Sequence, residues 1–361
     1  MEPYKACNLP LEEHQLDVNF FLDELIEAVA KLEVYKVKLA DSKLSNEWFL
    51  PTLQAKEAVA SSKLEGTQAT LDDVLVSKVK TNDRNDDLSE ILNYFEAANL
   101  GFAELEKKPM TIELINKINC QLLGKPAIKQ AERVGKLRTG QNYIRRLGGS
   151  LAVTYVPPIP EEVPGLMNNL IAFINDPRDL QRPLVRIAII HAQFLTIHPY
   201  MDGNGRVGRI LIPLLLYLYG LLDKPYFMIS EALEKDKTTY YSLLTNVRYK
   251  GEWNQWIRYF LGTIAEQCIK YIEIIDKINL LYEQDLKHAG MVIKSSKLID
   301  LMNLLYEYPA ITVNKVAESI GISPATANRY LAALSENRIL NANNKSRNKV
   351  YFYDALFDIL R

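Results

Sequence analysis

The chain lacks the features that mark secreted, disordered or membrane proteins. It has only three cysteines, widely separated, so the sequence predicts neither a disulfide framework nor a zinc site. Glycine and proline, 16 of each in 361 residues, are too few to predict disorder. The most apolar run, residues 210–222, is too short to span a bilayer and contains Pro213 and Gly220. We therefore expect a globular protein of the reducing cytoplasm that does not enter a membrane.

The chain also lacks an excess of either charge. It has 43 Lys and Arg residues against 44 Asp and Glu residues, a formal net charge of −1. The surface as a whole is therefore not attracted to nucleic acid or to a membrane, and any basic patch must be local. The N-terminal residues contain no apolar core, so we expect no signal peptide. A length of 361 residues predicts two or three domains.

What the sequence does contain is helical periodicity over most of its length. Apolar residues recur at the spacing of an amphipathic helix in residues 21–43. Pro51 predicts the start of a second helix, and Gly66 predicts its end. Thr70, which is followed by acidic residues, predicts the N-cap of a third helix. We predict a loop at residues 78–87 and further helices at residues 88–105, 112–123, 163–174, 184–196, 206–222, 237–249 and 253–286.

Residues 124–165 interrupt this pattern. Glycines, among them Gly148 and Gly149, precede a cluster of prolines between residues 157 and 164. The intervening residues 150–156 are rich in side chains that favour strands. Because paired glycines allow positive φ and paired prolines exclude a helix, we predict a β-hairpin or extended flap here.

The C-terminal segment has the order of elements of a winged helix-turn-helix domain. Ser323 and Pro324 are a good N-cap and first residue for its recognition helix. A turn-prone stretch at residues 341–348 and a strand-like one at 349–353 predict the wing. We predict helices at residues 296–306, 312–320 and 323–335, and, with a boundary near His288, three regions at residues 1–108, 109–287 and 288–361. The first is helical, the second is the core with its trailing helix, and the third is the winged helix.

One short stretch between two apolar helices carries the densest chemistry. Residues 198–209 read HPYMDGNGRVGR, with one imidazole, one carboxylate, three glycines and two arginines. Glycine amides and guanidinium groups at the start of a helix favour an anion such as phosphate. The glycine spacing also matches the dinucleotide-binding fingerprint, but residues 186–197 are too long and polar for the buried strand that this fingerprint requires. A P-loop is excluded because its Gly-Lys-Ser/Thr ending is missing.

This stretch resembles the motif of the Fic (filamentation-induced-by-cAMP) family of AMP transferases, His-Pro-Phe-x-Asp/Glu-Gly-Asn-Gly-Arg-x-x-Arg. Tyr200 in place of Phe is the one departure, and its aromatic ring is still expected to pack below the loop. The resemblance also covers the helix end from Ser61 to Gly66, the Gly-Gly and Tyr-x-Pro-Pro parts of the flap, and the C-terminal winged helix. It implies a mainly α fold: a Fic-type helical bundle with a β-hairpin flap, plus a C-terminal winged helix-turn-helix domain.

The resemblance implies transfer of AMP from ATP to a Ser, Thr or Tyr hydroxyl of a target protein or of the chain itself. His198, with a reference pKa of ~6.5, is the implied general base that takes the hydroxyl proton. Asp202 is the implied Mg²⁺ ligand. Tyr240 is implied to contact adenine, and a core position is the alternative for this residue. The implied ATP site comprises Glu65, His198, Asp202, Gly203, Asn204, Gly205, Arg206, Val207, Gly208, Arg209 and Tyr240.

The helix end at Ser61, Glu65 and Gly66 fits the inhibitory motif of the family. Ser61 and Glu65 are four residues apart, so both side chains point to one side of a helix. The resemblance implies that Glu65 pairs with Arg209 and occupies the space that the ATP γ-phosphate needs. A solvated helix end is the alternative interpretation.

Partners are less well defined. The flap residues Gly148, Gly149, Thr154 and Tyr155 are implied to align a target segment by strand addition, and a plain surface hairpin is the alternative. Residues 291–361 carry nine Lys and Arg against six Asp and Glu, which is weakly basic for a DNA reader. DNA contact, docking of a partner protein and a homodimer are therefore all left open. Two alternatives remain for the whole chain: removal of AMP at the same site, and a DNA-binding regulator whose core senses nucleotide.

Overall fold

The computed structural model is mainly helical, which confirms the predicted fold class. The described part of the chain contains the helices α1 (Leu22–Asp41), α2 (Asn46–Glu65), α3 (Leu71–Ser77), α4 (Asp86–Leu105), α5 (Ile112–Leu123), α6 (Val163–Asn175), α7 (Pro183–Ile197), α8 (Asn204–Leu218), α9 (Ser230–Lys235), α10 (Lys237–Lys250), α11 (Trp253–Val292), α12 (Leu298–Glu307), α13 (Val313–Ile320), α14 (Pro324–Glu336) and α15 (Asp354–Leu360). The structure describes residues 2–42, 46–68, 70–77, 86–124, 133–145, 153–176, 182–343 and 349–361.

The chain forms two compact units. Unit 1 comprises Met1–Glu33, Ala60–Gly66 and Leu92–Cys268, and unit 2 comprises Val34–Val59, Thr67–Ile91 and Ile269–Arg361. The predicted division after residues 108 and 287 stays a prediction.

The core of unit 1 is built around α7 and α8, which pack against each other. Every residue of α7 after Pro183 is buried, as expected for a helix that is apolar on all sides and has neighbours all round. Trp253 and Trp256 of α11 are also buried, at 3% and 0% exposed. The loop that joins α7 to α8 therefore starts and ends on rigid, buried elements.

Three predicted helix ends are wrong. The second helix begins at Asn46, five residues before Pro51, because a proline near the start of a helix removes only its own N–H bond and does not fix the first residue. Helix α8 ends at Leu218 instead of residue 222, since Gly220 adopts a positive φ of 72° just beyond it. Helix α11 continues to Val292, so the predicted boundary residue His288 lies inside a helix.

The predicted flap is confirmed as an antiparallel hairpin of β1 (Ile144–Arg145) and β2 (Val153–Tyr155). Ile144 pairs with Tyr155, whose ring is buried against unit 1. Gly148, Gly149 and the side chain of Thr154 lie outside what the structure describes, as do the central residues of the predicted loop at 78–87.

Unit 2 contains the predicted winged helix. Helices α12, α13 and α14 accompany a three-stranded antiparallel sheet in the order β3 (Ala310–Thr312), β5 (Val350–Phe352), β4 (Asn341–Ala342). The predicted N-cap of the recognition helix α14 is confirmed, because the Oγ of Ser323 accepts from the backbone N–H of Thr326 at 3.2 Å. The helix α15 and the strand β3 were not predicted. Across the described ranges, the structure has no helix both long enough and apolar enough to cross a membrane.

Substituting Ser323 by Ala should loosen the first turn of α14, because an N–H of that turn loses its acceptor. The expected cost is about 1 kcal/mol of local stability. Amide hydrogen exchange at Thr326 should become faster, whereas Ser323→Asp, which keeps a capping oxygen, should leave it close to wild type. Equal exchange in Ser323→Ala and wild type would show that the cap does not stabilise this helix.

Candidate active site

The loop from His198 to Gly203 is held in an unusual backbone conformation. His198 ends α7 with φ 51° and ψ 59°, in the left-handed region that residues other than glycine rarely adopt. Gly203 begins α8 with φ 81°, where the missing Cβ makes this conformation accessible. A strained residue between two buried helices points to a functional role for the loop.

Side-chain amides hold the loop from within and from α5. Asn204 accepts from the backbone N–H of Tyr200 at 2.9 Å and donates to its carbonyl at 2.8 Å. Asn119, which is fully buried on α5, donates to the carbonyl of Asp202 at 3.0 Å. The sequence reasoning missed Asn119, although a polar residue on the apolar face of a helix was a signal for it.

The substitution of Tyr200 for Phe has a structural reason. The ring is 1% exposed, as expected for an aromatic group that packs below the loop. Its hydroxyl donates to the side-chain oxygen of Asn116 on α5 at 2.8 Å. The additional oxygen is therefore satisfied in the core, and it ties the loop to α5.

Arg138 holds the same loop from the other side, and the sequence reasoning missed it as well. Its side chain is 3% exposed. Its Nε donates to the carbonyl of His198 at 2.9 Å, and its backbone N–H donates to the carbonyl of Pro199 at 2.9 Å. A second guanidinium nitrogen donates to the carbonyl of Pro158, which follows the flap. One buried cation thus joins the end of α7 to the base of the flap.

The surroundings of His198 keep its imidazole neutral. Burial lowers its pKa to about 4; the cations Arg248 and Arg138 act in the same direction, and the Glu65 carboxylate opposes them. The Nδ1 of His198 lies 3.4 Å from the carbonyl of Leu195, which can only accept, so Nδ1 carries the proton. The Nε2 atom is then the nitrogen that can take a proton from a substrate.

The predicted contact of Ser61 and Glu65 with Arg209 is present in the structure. Arg209 is 1% exposed and donates from Nη2 to the Oε1 of Glu65 at 2.7 Å. It also donates to the Oγ of Ser61 at 2.8 Å and to the Ser61 carbonyl at 2.9 Å. Burial alone would raise the pKa of Glu65, but Arg209 more than offsets it, so this pKa lies below its usual value. Gly66 follows with φ 109° and ends α2.

Gly205 is what lets the Glu65 carboxylate come this close to the loop. A Cβ at position 205 would collide with the Oε1 of Glu65 and lie 3.1 Å from Nη1 of Arg209. The carboxylate therefore occupies the space directly over the first turn of α8. The start of a helix and a guanidinium group border this space, which are the features that favour an anion.

Tyr240, the predicted adenine neighbour, is completely buried. Its hydroxyl lies 2.9 Å from Nε2 of His191, whose Nδ1 lies 3.0 Å from the carbonyl of Gly208. Since that carbonyl must accept, His191 donates from Nδ1 and accepts from Tyr240 through Nε2; burial, which lowers its pKa to about 3, keeps it neutral. This is a core position that ties α10 to α7 and α8, and the adenine contact stays a prediction.

Asp202 has the properties that a magnesium ligand needs. Its side chain is 74% exposed, and one of its oxygens accepts from the N–H of Gly203 at 2.6 Å. No group of three His, Cys, Asp or Glu side chains that could bind a metal occurs among the residues that the structure describes. One exposed carboxylate fits Mg²⁺, which commonly takes its remaining ligands from substrate phosphates and water.

The His198 imidazole should titrate with a pKa of about 4, so it should be neutral over the whole physiological range. Replacing Glu65 by Gln removes the carboxylate that raises this pKa, and the titration should move to still lower pH. Ring signals followed by NMR between pH 3 and 8 and assigned with His198→Asn would measure both values. A midpoint near 6.5 in the wild type, or an upward shift in Glu65→Gln, would contradict this electrostatic picture.

Comparison with known proteins matches these regions to three sequence profiles. The profile of the Fic/DOC family matches residues 109–216, and that of the Fic/DOC family N-terminal region matches residues 22–103. A winged helix-turn-helix DNA-binding profile matches residues 295–340. The two Fic/DOC profiles together cover more than half of the chain.

Several curated relatives are named protein adenylyltransferases. Fic-1 of Caenorhabditis elegans is 27% identical over 175 residues, which are 48% of this chain and 31% of the relative. A probable protein adenylyltransferase of Aquifex aeolicus is 28% identical over 156 residues, which are 38% of this chain and 48% of the relative. The chain thus spans half of these relatives or less.

Solved structures show the same fold. A Fic family protein from Desulfovibrio desulfuricans aligns over 98% of both chains with a TM-score of 0.62 at 19% identity. A fragment of Fic-1 from C. elegans aligns over 72% of this chain and 73% of that chain, with a TM-score of 0.55 at 19% identity. With two family profiles covering the site and the helices before it, the chain belongs to the Fic/DOC family.

Proposed function

We propose that this protein transfers AMP from ATP to a hydroxyl group of a protein, and that Glu65 restrains the transfer. The observation that carries the proposal is the arrangement around the loop: a neutral His198 beside an anion site that the Glu65 carboxylate fills. The adenylyltransferase names of the curated relatives support the reaction class.

In the proposed reaction a Ser, Thr or Tyr hydroxyl of the target attacks the α-phosphorus of ATP. His198 takes the hydroxyl proton on Nε2, the new oxygen–phosphorus bond forms, and pyrophosphate leaves. The backbone amides around Gly203 and Gly205 and the Arg206 and Arg209 side chains bind the phosphates where negative charge accumulates. Asn204 uses one amide hydrogen to close the loop, so its second is available for the α-phosphate. Asp202 would hold Mg²⁺, which neutralises phosphate charge.

Glu65 restrains the reaction because its carboxylate and the γ-phosphate compete for the same hydrogen-bond donors and the same positive charge on Arg209. With Glu65 on Arg209, the γ-phosphate has to displace a carboxylate that lies 2.7 Å from Nη2. Ser61 adds two hydrogen bonds from the same helix and helps to keep Arg209 oriented toward α2. The alternative of a solvated helix end is disfavoured by these contacts.

The flap supplies the place for the target segment in this proposal. Strand β2 ends at Tyr155, whose hydroxyl donates to the carbonyl of Thr196 at 2.7 Å, close to the end of α7. A target strand added along Thr154 and Tyr155 would bring its hydroxyl toward His198. Such pairing uses backbone groups, so it admits several target sequences, including a segment of the chain itself.

Replacing Glu65 by Gly should raise AMP transfer at least ~10-fold, because the γ-phosphate no longer competes with a carboxylate for Arg209. Transfer from ATP labelled on the α-phosphate, to lysate proteins and to the chain itself, measures this. Replacing His198 by Ala in the Glu65→Gly variant should reduce the rate by roughly 10²- to 10⁴-fold.

The matched control is Lys63→Gly. Lys63 is exposed on the same turn of α2, so this change carries the same helix penalty and leaves the carboxylate in place. Its rate should stay at the wild-type level. If Glu65→Gly and Lys63→Gly label alike, Glu65 is not an inhibitor.

Removal of AMP at the same site is an alternative within this reaction class. Glu65 would then orient a water molecule, so Glu65→Gly would abolish release of AMP from a modified protein while it increases transfer. Incubating a pre-labelled target with the wild type and with this variant separates the two activities.

DNA binding by unit 2 is a second candidate function, favoured by the winged helix-turn-helix DNA-binding profile. The recognition helix α14 presents Arg329 on its exposed side. Together with the nucleotide site this would make the protein a regulator that responds to ATP. Docking of a partner protein, a homodimer and a cytoplasmic location stay predictions of the sequence.

If unit 2 binds DNA, affinity should fall as salt rises, since each phosphate contact releases counterions. Arg329→Ala should weaken binding and reduce the slope of log affinity against log salt by about one. Lys297→Ala, at the residue that precedes α12 and pairs with Asp300, is the control that should leave the slope unchanged. Fluorescence anisotropy with a labelled duplex measures both, and a salt-independent or absent signal would leave protein docking as the role of this domain.

A further inference from the structure

Lys237 makes a contact that the proposed reaction does not use. It is the first residue of α10, and its ammonium group donates to the backbone carbonyl of Leu64 at 2.8 Å. Leu64 is fully buried in the last turn of α2, immediately before Glu65. The Lys237 cation therefore binds the main chain one residue before Glu65, whose side chain pairs with Arg209.

The hydrogen bond from Lys237 gives a partner to a carbonyl group in the last turn of α2. The last four carbonyl groups of an α-helix lack partners within the helix and carry its partial negative charge. A lysine that donates to one of them stabilises the end both by a charge-assisted hydrogen bond and by its charge. Gly66, with φ 109°, ends the helix directly after Glu65, so no further helical turn follows that could bond the Leu64 carbonyl.

The first turns of α10 also approach Arg209. Tyr241, one turn after Lys237, is near enough to Arg209 for the guanidinium charge to act on the pKa of its phenol, which burial raises to about 12. Helix α10 thus lies beside both partners of the ion pair: Tyr241 is near the guanidinium group, and Lys237 binds the backbone next to the carboxylate.

We propose that Lys237 is a positioning residue of the autoinhibition: it holds the last turn of α2 where Glu65 meets Arg209. The proposal rests on AMP transfer and its restraint by Glu65. Losing the bond lets this turn move, and Glu65 then occupies the γ-phosphate space for a smaller share of the time.

The test is a double-mutant cycle in the full chain, with labelled AMP transfer as the readout. Lys237→Met should raise the rate at low ATP by about 5-fold, which corresponds to the roughly 1 kcal/mol of one partly exposed hydrogen bond. The gain should come from a lower KM for ATP with kcat nearly unchanged, because the inhibitor competes with substrate. Lys237→Arg, which keeps a cationic donor, should stay near wild type.

In the Glu65→Gly background Lys237→Met should have no further effect, since there is no carboxylate left to position. Lys235→Met is the control for removal of a nearby charge; Lys235 pairs with Glu266 and should leave the rate unaltered. Lys237→Gln is a second variant that guards against a folding defect in Lys237→Met. Amide exchange at residues 62–66 should be faster in both of these variants than in the wild type.

The outcomes distinguish the role of Lys237 from the inhibition by Glu65. If Glu65→Gly activates and Lys237→Met behaves as wild type, the role of Lys237 is overturned and the inhibition by Glu65 stands. If Lys237→Met lowers the rate in both backgrounds, Lys237 acts in catalysis or ATP binding, which also overturns the proposal. If Glu65→Gly itself fails to activate, the inhibition is wrong independently of Lys237.

Discussion

The site depends on one constraint, a guanidinium group that is buried and must have an anion beside it. Arg209 is 1% exposed, and burial of an unpaired charge is among the most costly arrangements in a folded protein. In the structure Glu65 supplies the anion, and Ser61 completes the hydrogen bonding. A bound phosphate would replace one anion by another. In the proposed reaction, Glu65 and the γ-phosphate would therefore exchange at Arg209, so that the buried guanidinium keeps an anionic partner in either state.

At His198 the surrounding charges have the opposite effect and favour the neutral form. The Nδ1 of His198 faces the backbone carbonyl of Leu195, and the positive charges of Arg248 and Arg138 help burial to lower the pKa of the imidazole. Arg138 also holds the loop in place, because its side chain donates to the carbonyl of His198 and to the carbonyl of Pro158, which follows the flap. The geometry of the loop is held by Arg138, Asn119 and the Asn204–Tyr200 bonds, which is the preorganisation that the proposed transfer would need.

The sequence predicted what depends on local pattern, and less of what depends on distant partners. The hairpin, the winged helix and the N-cap at Ser323 follow from periodicity and turn residues, and the structure confirms them. The pairing of Glu65 with Arg209 needed the family resemblance, because no local rule connects residues so far apart. Arg138 and Lys237 escaped notice because their side chains act on backbone carbonyls, and a carbonyl leaves no trace in the sequence. The start of α2 was missed because a proline permits more than one helix start.

Gly205 has a consequence for how this protein can change over evolutionary time. The absence of a Cβ there admits the carboxylate of Glu65, and the same open space is the one that a phosphate would fill. If Glu65 restrains AMP transfer as proposed, a lineage that enlarged this residue to exclude the carboxylate would also narrow the space proposed for the phosphate. Changes in α2 and in the residues that hold it would alter the restraint and leave that space open.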